Sequence, residues 1–237
     1  MNGKNNRIRR KAELIYDTLM ALYGPQKCCL EHNTPFQLLV ATILSAQCTD
    51  KKVNSITPAL FERWPDAKAF ASCSQTELED AIHVCGFFHA KAEHIRGAAK
   101  MLVDLYGGEV PQNMDALTKL PGVGRKTANV VLGDAFETPG LPVDTHVKRL
   151  TNLIGLADTD DPVRIEQFLC SILPPGKWAQ FSHLLILHGR TRCPARRPDC
   201  AGCEISEFCD FMQKASSKTP QKMKTNAPKP RKKNNHE

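Results

Sequence analysis

Aromatic residues are scarce, 6% of a 237-residue chain, and no apolar run approaches the roughly 20 residues of a membrane-spanning helix. The second absence excludes a helical bilayer span; the first leaves aliphatic side chains to fill the core. No pair of stretches alternates apolar and polar residues as paired strands do, and no internal repeat is present. A secretory leader is not expected either. The basic start leads into Ala12-Glu13-Leu14-Ile15-Tyr16-Asp17, an amphipathic helix with acids in it. The ten cysteines are then expected as reduced thiols or metal ligands, not as disulfides.

What is present reads as helix. Hydrophobic content of 41% is enough for a sizeable core, and the long Ala/Leu/Lys/Glu-rich runs favour an all-α class. Residues 214–237 hold eight lysines and arginines and one acid, a net +7 that equals the formal charge of the whole chain. The body, residues 1–213, is therefore formally neutral and can meet a polyanion only through local patches. Two are visible: Arg7, Arg9, Arg10 and Lys11 near the start, and Arg190, Arg192, Arg196 and Arg197 late. Charge runs of this kind are often no more than solvated faces. From Lys214 onward apolar residues almost vanish, which predicts disorder and a flexible basic tail.

Taken in order, the pattern predicts helices over 11–23, 34–44, 51–64, 75–84 and 90–105. The second is apolar nearly all round and should be buried. Ser74 and Glu77 form a capping box for the fourth. After a short amphipathic run, 114–119, comes Leu120-Pro121-Gly122-Val123-Gly124-Arg125-Lys126-Thr127-Ala128-Asn129. Two glycines one residue apart allow a tight turn, Pro121 fixes the entry, and a helix follows to Phe136. The product is helix, glycine hairpin, helix, with free N–H groups at the second helix start and hence an anion site. No strand precedes it, so it is not a dinucleotide-binding turn, and Arg125 interrupts any P-loop spacing. A grip on a nucleic-acid phosphate is the functional reading; an ordinary turn between packed helices is the alternative. Further helices are expected over 144–155, 162–173 and 178–188.

Cys193, Cys200, Cys203 and Cys209 are separated by six, two and five residues. Four thiolates in one loop satisfy one tetrahedral centre or one cubane cluster, and ligand chemistry alone leaves both open. Zinc sites usually pair two close cysteines with a distant second pair, which this run does not do; that tilts the reading towards [4Fe–4S]. The intervening Arg196 and Arg197 would be presented on a stiffened loop, a geometry suited to phosphate oxygens. Cys28, Cys29, Cys48, Cys73, Cys85 and Cys170 lack such spacing and are expected as small hydrophobes.

The hairpin through Leu132, the downstream Val143-Asp144-Thr145-His146 and the Cys-x6-Cys-x2-Cys-x5-Cys run together resemble the endonuclease III family of DNA glycosylase/AP lyases. Ser45-Ala46-Gln47-Cys48-Thr49-Asp50 and Leu187-His188-Gly189-Arg190 fit it as well, and the resemblance covers about residues 10–210. It implies two helical domains flanking a DNA cleft: about 28–138, holding the hairpin, and about 1–27 with 139–213, holding a [4Fe–4S] cluster on the four cysteines. It implies Lys126 as nucleophile and Asp144 as its acidic partner. Gly122, Gly124 and Arg125 would meet DNA, with Gln47 and Phe87 at the family's gap-filling positions. Phe87 departs from the aliphatic residue usual there, and plain core packing is its competing role. The implied substrate is double-stranded DNA with oxidised or ring-saturated pyrimidines or abasic sites; the enzyme would be monomeric, cytoplasmic and nucleoid-associated, of bacterial type.

Those residue types suit that chemistry. A neutral amine can attack C1′ of the sugar, release the base and hold the sugar as a Schiff base. Loss of a C2′ proton then expels the 3′ phosphate. A hydroxyl could release the base but could not form the imine, so lysine is what predicts strand cleavage. Two other functions compete: a catalytically silent DNA-binding scaffold, and a mismatch-specific glycosylase of the same superfamily, whose adenine-removing member lacks the lysine and carries an extra C-terminal domain.

Overall fold

The computed structural model describes residues 3–217, and among these every regular element is helical. In order they are α1 (Gly3–Tyr23), α2 (Pro35–Leu44), α3 (Asp50–Asn54), α4 (Thr57–Arg63), α5 (Ala67–Ser72), α6 (Gln75–Ile82), α7 (Phe88–Tyr106), α8 (Met114–Leu117), α9 (Arg125–Ala135), α10 (Thr145–Ile154), α11 (Pro162–Ile172), α12 (Trp178–Thr191) and α13 (Asp210–Ser217). Three 3-10 turns, His83–Cys85, Pro175–Lys177 and Ser206–Phe208, complete the regular structure.

Local chemistry sets most of the starts. Thr34, Thr49, Asp66, Ser74, Asn113, Asp144 and Asp161 each accept a backbone N–H in the first turn of α2, α3, α5, α6, α8, α10 and α11. Such a cap contributes about 1 kcal/mol. The Ser74/Glu77 capping box forms in full. Helix α9 differs: its cap is Gly124, with no side chain to occupy its first N–H groups.

Several boundaries depart from the sequence reading. The single helix expected over 51–64 is two, α3 and α4, because Pro58 in the first turn of α4 has no N–H to continue the ladder. Helix α1 starts at Gly3, well before residue 11. Helix α13 runs through Lys214 to Ser217, where disorder was expected to begin; its Asp210 pairs with Lys11 at 2.5 Å, tying it to α1. The rest of the basic tail, 218–237, lies outside the described residues.

The buried apolar residues form two clusters. One draws on α2–α9, from Leu30 to Leu132, with Leu38, Leu39, Leu44, Phe70, Leu78, Ile82, Ile95, Leu102 and Leu117 at its centre. Helix α2 is buried along nearly its whole length, as its all-round apolarity requires. The other draws on α1 and everything from Leu141 to Ile205, so the N-terminal helix closes over C-terminal ones through Ala12, Ile15 and Leu19. Polar ties join the two bodies: Arg125–Glu166, His183–Asp134 and Arg190–Asp50.

Candidate active site and cysteine-lined cavity

The hairpin uses its two glycines differently. Gly122 has φ +74°, and a Cβ there would lie 2.7 Å from His94 Cβ, so only glycine fits. Gly124 has φ −86°, and a Cβ there would meet nothing within 4 Å. Its value is to leave the mouth of α9 bare.

Lys126, in the first turn of α9, is exposed. Asp144 caps α10, Oδ1 accepting the Val147 N–H at 2.8 Å; its other oxygen makes no hydrogen bond among the described residues. The two residues come from different lobes yet line one open cleft of about 730 Å³, with Ser45, Gln47, Asp50, His146, Lys148 and Arg190 among the other lining groups. Asp144 is thus a helix cap and a cleft carboxylate at once. Arg190, which the sequence offers in a basic patch and in the family-like Leu187-His188-Gly189-Arg190 stretch, gives its guanidinium to Asp50 at 3.0 Å beside the cleft.

Arg125 sits differently from a phosphate ligand waiting for DNA. Its Nε and NH2 donate to the Glu166 carboxylate at 2.8 and 2.7 Å, binding α9 to α11. The neighbour of the lysine therefore fixes the lobes at the hairpin.

Gln47 and Phe87 share an unusual backbone. Both have positive φ, 52° and 48°, which non-glycine residues rarely adopt. Gln47 is exposed in the turn after α2 and lines the cleft. Phe87 is 67% exposed at the start of α7, which removes core packing as its role. Large apolar side chains held out in a strained turn occur where function requires it. Arg197 is a third such residue, φ 57°. Arg196 and Arg197 are both exposed and make no hydrogen bond or ion pair among the described residues. The other two arginines of that patch are engaged: Arg190 by Asp50, and Arg192 by Asp199 and Glu204 at 2.6 and 2.8 Å.

The four clustered cysteines line a cavity of about 330 Å³ whose walls are mostly apolar, including Leu150, Leu153, Ile154 and Ile205. All four are unbridged thiols, half-buried. Burial, with the Cys193 and Cys209 sulfurs nearby, pushes the Cys200 and Cys203 thiols up. Arg149 NH1 approaches Cys193 Sγ at 3.7 Å, and His188 Nε2 stands 3.5 Å from Cys203 Sγ. Among the described residues no three His, Cys, Asp or Glu side chains converge tightly enough for a single metal ion. Tetrahedral zinc would require sulfurs about 3.8 Å apart, from Zn–S bonds near 2.3 Å. Four thiol sulfurs lining one apolar cavity are a donor set suited to a bound metal group, a single ion or a cluster. Of the other cysteines, Cys28 and Cys170 are pushed up to about 12 by burial and suit their expected role as small hydrophobes. Cys29 does not: it is exposed.

An all-helical pair of lobes with a hairpin at the cleft defines a class of DNA-repair proteins, and residues 40–175 match the family described as HhH-GPD superfamily base excision DNA repair protein. Endonuclease III of Synechocystis sp. is 50% identical over 206 residues, 86% of this chain and 94% of that one. A solved non-covalent endonuclease III–DNA complex superposes with TM-score 0.83 at 39% identity, covering 89% of this chain and 99% of the other. A trapped endonuclease III–DNA covalent intermediate superposes equally well, with 88% and 98% covered. The chain belongs to the endonuclease III family of that superfamily.

One residue of consequence went unnoticed in the sequence. Lys91 is buried in α7, and its register offers the signal: with Ile95, Ala98 and Leu102 it lies on the helix's apolar stripe, where a lysine has no solvation to gain.

Proposed function

We propose that this protein is a bifunctional base-excision repair enzyme, a DNA glycosylase and AP lyase, with Lys126 as nucleophile and Asp144 as its carboxylate. The supporting observation is that these residues, from separate lobes, line one cleft open enough for a nucleotide swung out of the duplex. The Lys126 amine, once neutral, attacks C1′ of the damaged nucleotide and the base departs with its bonding pair. Asp144, anchored through one oxygen, stabilises the positive sugar with the other and relays protons. The nitrogen lone pair then opens the sugar ring: the C1′–O4′ bond breaks, O4′ takes up a proton and a Schiff base remains; this acidifies C2′, and loss of that proton expels the 3′ phosphate and breaks the strand.

The flanking groups have matching tasks. The uncapped N–H groups after Gly124 receive a backbone phosphate, with Gly122 permitting the turn. Extruding a base costs a few kcal/mol. Gln47 and Phe87, held outward, fill the space it leaves. Substrates are duplex DNA with oxidised or ring-saturated pyrimidines and abasic sites, and the protein acts as a monomer in the bacterial cytoplasm, at the nucleoid. No helix among the described residues is long and apolar enough to cross a membrane.

Cys193, Cys200, Cys203 and Cys209 would hold a [4Fe–4S] cluster. Bound there, it supplies a rigid anchor for the loop 194–199 rather than a reacting centre. Arg196 and Arg197 on that loop then face DNA phosphates. The basic tail tethers DNA without sequence preference, so removing 214–237 weakens non-specific binding and flattens its salt dependence while leaving excision intact.

Borohydride reduction on abasic duplex tests the chemistry. The wild type should trap as a covalent protein–DNA adduct and Lys126→Gln should not. A wild type that binds but never traps is the silent scaffold instead.

A further inference from the structure

Helix α7 carries an ammonium where the core expects an aliphatic side chain. Lys91 is 4% exposed, and its Nζ donates to the Leu44 carbonyl at 2.8 Å and the Cys85 carbonyl at 2.9 Å. Its backbone N–H donates to the Phe87 carbonyl at 3.0 Å. These acceptors are not scattered. Leu44 ends α2, immediately before the turn that carries Gln47; Cys85 ends the 3-10 turn immediately before Gly86-Phe87. One side chain therefore bridges the bases of the two turns that present the two strained residues. Burial holds the Lys91 amine below the ordinary lysine range, although the Cys48 and Cys85 sulfurs beside it oppose this. A charge kept inside against that cost is poorly explained by packing alone, since a methionine of similar length would fill the same space.

We propose that Lys91 is a positioning residue for base extrusion: it sets the spacing between the Gln47 and Phe87 turns so that both enter the duplex together. The inference rests on the proposed function, in which those two side chains fill the vacated stack. Lys91 touches neither DNA nor the reacting atoms. Without it the two turns lose their shared anchor, each settles separately, and the extruded state is no longer held, while the Lys126 amine and Asp144 keep their places.

The test compares two substrates with the full chain. On duplex DNA with one ring-saturated pyrimidine, extrusion is required. On a single-stranded abasic oligonucleotide no stack needs filling, and only the amine chemistry is read. Lys91→Met should slow single-turnover excision on the duplex by on the order of tenfold to a hundredfold, the usual cost of small misplacements. It should also lose the fluorescence rise of 2-aminopurine placed opposite the lesion, and should cleave the single strand at the wild-type rate. Equal rates on both substrates for variant and wild type, or an equal loss on both, overturns the proposal. If Lys91→Met does not fold, Lys91→Arg serves: its wider planar head keeps the charge but does not fit the same two carbonyls, and the same split is expected. Failure of wild type to form a trapped adduct would instead count against the proposed function, so the two failures are distinct.

Discussion

Arg125 and Glu166 form a two-pronged ion pair between α9 and α11, one residue from the proposed nucleophile. Its two ends differ in environment: the Glu166 side chain is 10% exposed and that of Arg125 42%. Removing the arginine strands a carboxylate with little water; removing the carboxylate leaves a guanidinium that solvent can reach. Arg125→Ala should therefore cost about 3 kcal/mol, near the range for an orphaned buried charge. Glu166→Gln should cost about 1 kcal/mol or less, as for an exposed pair. Chemical denaturation of both variants measures the difference. Equal losses would mean that the pair is solvated evenly and does not lock the lobes.

Asp144 joins fold and chemistry in one side chain, and substitution can separate them. Asparagine caps a helix as well as aspartate does, whereas alanine loses about 1 kcal/mol. Asp144→Asn should melt with the wild type, and Asp144→Ala several degrees lower. Both should lose excision by a factor on the order of a hundred or more, because neither presents a negative charge to the developing sugar cation. An Asp144→Asn variant with wild-type single-turnover excision would reduce the residue to a cap.

Legibility in the sequence followed the range of the interactions. Caps such as Ser74 with Glu77, the all-round apolarity of α2 and the cysteine spacing are local patterns, and each was readable. Helix α5 was not, since six residues capped by Asp66 are too few to show a helical period. Pro58 gave a readable warning that 51–64 would break, but the helical composition on both sides masked it. Arg125 and Glu166 stand 41 positions apart, and nothing local tells a guanidinium bound for phosphate from one bound for a carboxylate. The exposure of Phe87 was likewise hidden, because its position in a turn is set by Gly86 and by the anchoring of α7, not by its own hydrophobicity.

The hairpin glycines give a contrast within three residues. Alanine at 122 meets both a left-handed backbone and the His94 side chain. Gly122→Ala should cost about 1–3 kcal/mol and reduce DNA affinity, since the turn must open. Gly124→Ala has an extended backbone and open space, so stability should change by roughly 0.5 kcal/mol or less. Any effect there should fall on DNA binding, where a methyl group stands beside the N–H groups of α9. Melting temperature and duplex affinity, read together, separate the two; equal destabilisation would contradict the local geometry.

The cysteine-lined cavity makes a claim about metal content and a second about what the metal is for. Purified without oxygen, the protein should contain iron and inorganic sulfide in equal amounts, with little zinc. Zinc alone would contradict the cluster reading. The second claim concerns Arg196 and Arg197, which make no hydrogen bond or ion pair among the described residues. If the bound group serves to hold their loop, its oxidative loss should act on DNA binding as their removal does. Each phosphate contact contributes about 0.9 to the slope of log affinity against log salt. The double variant Arg196→Ala/Arg197→Ala should then lower that slope by roughly 2 with the metal retained, and metal loss should lower it by a similar amount in the wild type. Metal loss should leave the slope of the double variant unchanged, because the charges it would misplace are already gone. A further drop there would mean that the group acts through some other part of the cleft.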